Sequence, residues 1–203
     1  MFALSPHELN ILKKLNTPEK IQNFLDTLPI NFEKNGETCM SPRRVLKERT
    51  SHCMEGAMLA ALALRIAGQK PLVMDLKVTD ADDDHVVAIY RKYGCYGAIS
   101  KTNHGTLRYR DPVYRTLREL AMSYFHEYTI PNGEKILRSY SGAIDLSRFD
   151  RQGWMTAEED IWYVPEYVDS VRHYTLLSRT QIRTLRRADK MERKVGAELE
   201  WKK

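Results

Sequence analysis

The chain has 203 residues, 42% of them apolar and 9% aromatic, with a net charge of +5. That is ordinary globular composition with enough length for one sizeable core, and no stretch is apolar for long enough to suggest a membrane span. The charge is uneven: residues 179–203 hold nine Lys/Arg and four Asp/Glu, leaving 23 of each sign elsewhere. The basic character therefore belongs to the C-terminal segment, which argues against a chain-wide nucleic-acid surface.

Residues 1–6 lack the basic-then-apolar layout of a signal peptide. The cysteines, Cys39, Cys53 and Cys95, are odd in number. Free thiols in a reducing cytoplasm are the expectation.

Ser5-Pro6-His7-Glu8 is a capping-box pattern with Pro at the first helical position, predicting a helix to about residue 15. Thr17-Pro18 predicts a second, to about residue 28, and Ser41-Pro42 a short third through residue 48. Residues 31–40 read as loop, with Asn35-Gly36 as a turn. The next segment, residues 53–67, is apolar nearly all round, with Glu55 and Arg65 its only charges. Such a helix belongs in the middle of a core. Thr50 or Ser51 is expected to cap it and Gly68 to close it.

Strands are predicted over 71–78, 85–90, 93–100 and 106–110, with an acidic loop at 80–84 that reads as solvated. It lacks the Gly and the bidentate Glu of a calcium loop, so no metal is expected there. Leu117, Leu120, Ala121, Tyr124 and Phe125 fall at helical spacing. Further on, 135–140 reads as strand, 141–155 as mostly loop, 158–163 as a short helix and 171–177 as extended. Ser178 is expected to cap a long basic helix to the end of the chain, striped by Ile182, Leu185, Ala188, Met191, Val195 and Leu199. Helices followed by antiparallel strands make an α+β layout, read as one domain over 1–203 with its core at about 41–128.

Cys53 stands at the first turn of the apolar helix. A helix N-terminus supplies unpaired N–H groups and a positive dipole end, and both favour the thiolate. A cysteine nucleophile needs a base and the base an orienting group. His85 heads one strand and Asp111 ends another, so the order Cys53, His85, Asp111 suits a triad, with Asn103 as the alternative orienting residue. His52 reads as a surface residue, and Cys39 and Cys95 as structural thiols.

Thr50-Ser51-His52-Cys53-Met54-Glu55-Gly56-Ala57, the strand after Gly68, Asp84-His85-Val86-Val87 and Asp111-Pro112 together resemble the transglutaminase-like superfamily, which shares the papain-like cysteine-peptidase core. The resemblance covers about residues 41–114. It implies a buried nucleophile helix on an antiparallel sheet, flanked by N- and C-terminal helices. It also implies acyl transfer: Cys53 attacks an amide or ester carbonyl, His85 moves the proton, and Asp111 holds the imidazole. Hydrolysis of a peptide or amide bond is the expected reaction, with no cofactor and no metal. The departures are Val86 and Val87, where aromatics commonly follow the family His, and Ser51-His52 in place of the common Gly.

The alternative is a non-catalytic binding module on the same fold. It would hold an acidic partner through Arg108, Arg110, Arg115 and Arg118 interleaved with Tyr109, Tyr114, Tyr124 and Tyr128, or through the basic C-terminal helix. Stacking of Arg on Tyr within the fold is the favoured reading of that surface. Neither nucleic acid nor membrane is the expected partner, and the oligomeric state is left open.

Overall fold

The structure is a computed structural model that describes residues 3–34 and 36–202. The expected Asn35-Gly36 turn lies partly outside the described residues. Three short helices open the chain: α1 (Pro6–Lys14), α2 (Pro18–Asp26) and α3 (Pro42–Glu48). Each starts where the sequence predicts, with Ser5, Thr17 or Ser41 capping the first turn and Pro at its start. The central helix α4 (Cys53–Ile66) is buried from Met54 through Leu64. No polar face is left to it because α1, α2, α3 and the sheet all pack around it.

The sheet has seven strands: β1 (Leu72–Lys77), β2 (His85–Lys92), β3 (Cys95–Ile99), β4 (Arg110–Tyr114), β5 (Ser139–Ser141), β6 (Ile144–Asp145) and β7 (His173–Thr175). Their order is β4-β3-β2-β1-β5-β7, with β6 also on β1, and every pairing is antiparallel. Side chains alternate between two cores, as the period of two demands. Val73, Val86, Ala88 and Tyr90 pack with α4. Met74, Leu76, Val87 and Ile89 pack on the other face, with α5 (Leu117–Met122) and the 124–128 turn. A 3-10 helix (Leu146–Gln152) and α6 (Tyr163–Ser170) close the α4 side.

Several elements differ from their sequence reading. The fourth strand begins at Arg110, because Ser100 and Arg110 draw residues 106–109 into side-chain-bonded loop rather than a ladder. The 158–163 helix forms later, as α6, and the 141–155 stretch contains a 3-10 helix where loop was expected. The long C-terminal helix is two short ones, α7 (Arg179–Arg183) and α8 (Lys190–Gly196). Asp189 starts α8 afresh through a capping box with Glu192, and the N–H of the intervening Ala188 donates to the Gly133 carbonyl. Met191, Val195 and Leu199 are therefore exposed rather than a buried stripe. Among the described residues, no helix is long and apolar enough to cross a membrane.

Candidate active site

Cys53 is the first residue of α4 and lies half-buried where the helix meets the head of β2. His52, not Thr50 or Ser51, caps the helix: its Nδ1 accepts from the Met54 N–H at 3.3 Å, and Glu55 reaches back to the His52 N–H at 3.0 Å. The Cys53 N–H makes no hydrogen bond among the described residues. It is thus a free donor at the positive end of a fourteen-residue helix. Gly56 lets the stem of Lys101 cross the first turn, since a Cβ there would stand 2.4 Å from the Lys101 Cβ.

His85 opens β2 and is 5% exposed. The Cys53 Sγ lies 4.0 Å from the carbonyl oxygen of Asp84, the residue before His85, so the ring stands beside the thiol and helps to lower the thiol pKa, and His85 Nε2 lies 2.8 Å from Ser100 Oγ. Ser100 Oγ donates its single proton to the Leu107 carbonyl at 2.6 Å. It can therefore only accept from His85, which puts the hydrogen of the neutral ring on Nε2 and leaves the Nδ1 lone pair for the sulfur. Ser100 is fixed in turn by Gln22, whose amide bonds its carbonyl at 2.8 Å and its N–H at 2.9 Å. Beside it, Lys101 Nζ bonds the Leu25 and Leu28 carbonyls. The segment after β3 is thus pinned to the end of α2, and with it the acceptor behind the imidazole.

A second imidazole flanks the thiol. His52 is half-buried, not a surface residue, with Nε2 3.0 Å from the Thr38 carbonyl and 3.3 Å from Glu55. Glu55 is fully buried. It accepts from Met40 N–H and Thr38 Oγ1, both at 2.9 Å, as well as from the His52 N–H at 3.0 Å. Burial favours its neutral form, but these donors and His52 win and hold its pKa below the usual carboxylate value. Burial alone would likewise raise the Cys53 pKa. Hydrogen bonds from His52 and His85, and the positive charge those rings can carry, outweigh it and bring the thiol down to about 5. Burial opposes charge on His52 too, but Cys53 and Glu55 on either side push it up to about 11.

The structure brings Cys53 and His85 together and leaves Asp111 out. Asp111 is exposed on β4 and hydrogen-bonds no part of His85. Arg110 is level with Ala98, and Ala98 with Ile89, four residues along β2 from His85. Asp111 is one residue further along and two strands across, so at ~3.4 Å per residue and ~4.8 Å per strand it stands about 20 Å away. Asn103 is not the orienting residue either. Its amide exchanges bonds with the Trp201 backbone at 2.9 and 2.8 Å, tying down the C-terminal segment. Cys39 is buried, and burial raises its pKa to about 12, as suits a structural thiol. The Arg/Tyr surface is partly internal: Arg110 stacks on Tyr124 at 4.1 Å, and Tyr124 and Tyr128 are buried, while Arg115 and Arg118 are exposed. In the acidic loop Asp84 is half-buried, accepting from the Val78 N–H at 2.7 Å. Asp75, Asp84 and Asp169 offer carboxylate oxygens within 4.8 Å of one another. Lys77 Nζ already stands among them, 3.4 Å from Asp84 and 3.2 Å from Asp169, and supplies the positive charge.

No family model matches the chain, and no curated protein matches it. Three positions around Cys53 and His85 escape the sequence reading. Ser100 and Gln22 carry no motif. His52 does carry a signal, because Glu55 three residues after it is the capping-box spacing and is a strange charge to find inside an apolar helix.

Proposed function

We propose that the protein is a thiol-dependent acyl-transfer enzyme that hydrolyses amide or peptide bonds. The observation that carries this reading is the imidazole of His85, set beside the Cys53 thiol on one side and fixed by Ser100 on the other. That is the geometry a general base needs. A helix opened by cysteine, followed by antiparallel strands with histidine heading the second, supports a papain/transglutaminase-like core with Ser100 in the orienting role.

In the reaction, the Cys53 sulfur attacks the carbonyl carbon as its proton passes to the free Nδ1 of His85. The resulting oxyanion lies within reach of the free Cys53 N–H, as in other oxyanion holes. His85 delivers a proton to the leaving amine, and a thioester remains on Cys53. His85 then takes a proton from water, the hydroxide attacks the thioester, and the acid and the thiol are released. Water is the acceptor in this proposal because nothing near Cys53 marks an amine site.

The test is acylation. Mixing the protein with activated esters and peptide anilides should give a burst of leaving group equal to the enzyme. Intact mass should show the acyl adduct on Cys53 and none in Cys53→Ala. A panel that gives neither burst nor adduct, with the protein folded, rejects the reading.

A further inference from the structure

Far from the thiol in chemistry, a cleft of about 280 Å³ lies between residues 134–138 and the segment following Ser178. Lys135, Arg138, Arg183, Arg186 and Arg187 line it, with Ile182 and Leu185 as its apolar part. Five cations meet one acid, Glu134, and that carboxylate is spent on Arg138 at 3.5 Å. Arg186 is paired outward with Asp189 and Glu192.

Lys135 is the decisive residue. It is only 6% exposed, yet among the described residues its ammonium has no hydrogen-bond or ion-pair partner. Backbone bonds hold it there: residue 135 bridges Thr129, the Ile136 N–H donates to Tyr128, and the Arg138 N–H donates to Lys77. The Lys135 stem is buried while its ammonium keeps contact with water at the cleft, where a ligand can meet the charge. Arg183 and Arg187 are likewise without acidic partners among the described residues. The chain has thus gathered uncompensated positive charge in a concave place, against mutual repulsion.

We propose that this cleft is a binding site for a compact polyanion carrying phosphate groups. Phosphate is the class that fits. It puts two or more negative charges and several acceptor oxygens in a small volume, and guanidinium forks engage it bidentately while a lysine adds a point charge. A single carboxylate would leave most of the charge unanswered. The cleft is at the small end of ligand sites, about 300 Å³ upward, which suits a phosphate or pyrophosphate group rather than a folded partner. The site does not depend on the thiol chemistry, and it stands or falls separately.

The test is calorimetric titration of the full chain at low salt with inorganic pyrophosphate, inorganic phosphate and a single-stranded oligonucleotide. Saturable one-to-one binding of pyrophosphate or phosphate is expected, weakening as salt is raised. Lys135→Met should weaken it about tenfold or more, the scale of one charge-assisted bond. The rim variant Arg183→Gln/Arg187→Gln does the same without touching a buried side chain, and keeps the test alive if Lys135→Met does not fold. Arg115→Gln, an exposed arginine away from the cleft, should bind as the wild type does. Absence of saturable binding, equal affinity in all variants, or binding of the oligonucleotide alone would overturn the proposal.

Discussion

The two-imidazole clamp on Cys53 makes a quantitative statement about thiol reactivity. An ordinary thiol titrates near 9.0, whereas Cys53 titrates near 5. At pH 6 the thiolate fraction of Cys53 is therefore about 10³ times larger. The same four-unit fall weakens the anion as a nucleophile. With a Brønsted coefficient of about 0.45, the loss in disulfide exchange is about 60-fold. The net expectation at pH 6 is a rate roughly ten to twenty times that of an unhindered reference thiol. At pH 9 the ionisation advantage shrinks to about twofold, and Cys53 becomes slower, by about 30-fold. Its profile should inflect near pH 5 and be flat above pH 6. The perturbation is His52→Gln. If two imidazoles share the displacement, losing one returns the inflection to about 7; at pH 6 about tenfold less thiolate is nearly offset by about eightfold greater nucleophilicity, so the fall shows at pH 5, where it is about sixfold. The assay is stopped-flow reaction with an activated disulfide from pH 4 to 9, with Cys53→Ala giving the contribution of the other cysteines. The shape of the profile is independent of how accessible the sulfur is. A Cys53 rate that climbs tenfold per pH unit through pH 8 would refute the clamp, and a His52→Gln profile identical to wild type would remove His52 from it.

Three further outcomes follow from the geometry. Ser100→Ala strands the His85 Nε2–H in a buried place at a cost of about 1–3 kcal/mol, so acylation at Cys53 should slow about tenfold or more; Asp111→Asn should leave it within about twofold of wild type, and the reverse ranking would restore Asp111 to the site. Gly56→Ala gains helix propensity of about 1 kcal/mol but drives a Cβ to 2.4 Å from Lys101. Overpacking costs about 1–3 kcal/mol, so urea denaturation should show a net loss, whereas a stabilised variant would mean that α4 and Lys101 separate freely. Asp75 is raised to about 6 from 3.8, by burial against the His173 hydrogen bond and with the charge of Asp84 adding to the rise. Between those values the folded chain keeps a proton that the unfolded chain has released, so this group's contribution is full below 3.8 and falls as the pH rises to 6. Unfolding midpoints for Asp75→Asn should lose that downward slope relative to wild type, and parallel curves would show that Asp75 ionises normally.

What could be read from the chain follows from how local each determinant is. The starts of α1, α2 and α3 need only Ser or Thr before Pro, and the position of α4 needs only its unbroken apolar run; both are visible within ten residues. The head of β2 at His85 is fixed by the change from an acidic loop to a continuous apolar run. The C-terminal helix fails as a prediction for a nonlocal reason. Its stripe is helical in period, but Gly133 captures Ala188 and Asn103 captures Trp201, and neither contact is encoded nearby. The orienting group behind His85 is missed in the same way. A search for a carboxylate or amide at a strand end leads to Asp111 or Asn103, both of the right chemical type. A serine serves instead because the Leu107 carbonyl consumes its proton and Gln22, 78 residues earlier, holds its backbone. Acceptor character is here a property of the arrangement, not of the residue type. An isolated hydroxyl has no preference between giving and receiving, and only the folded chain decides which nitrogen of His85 carries the hydrogen.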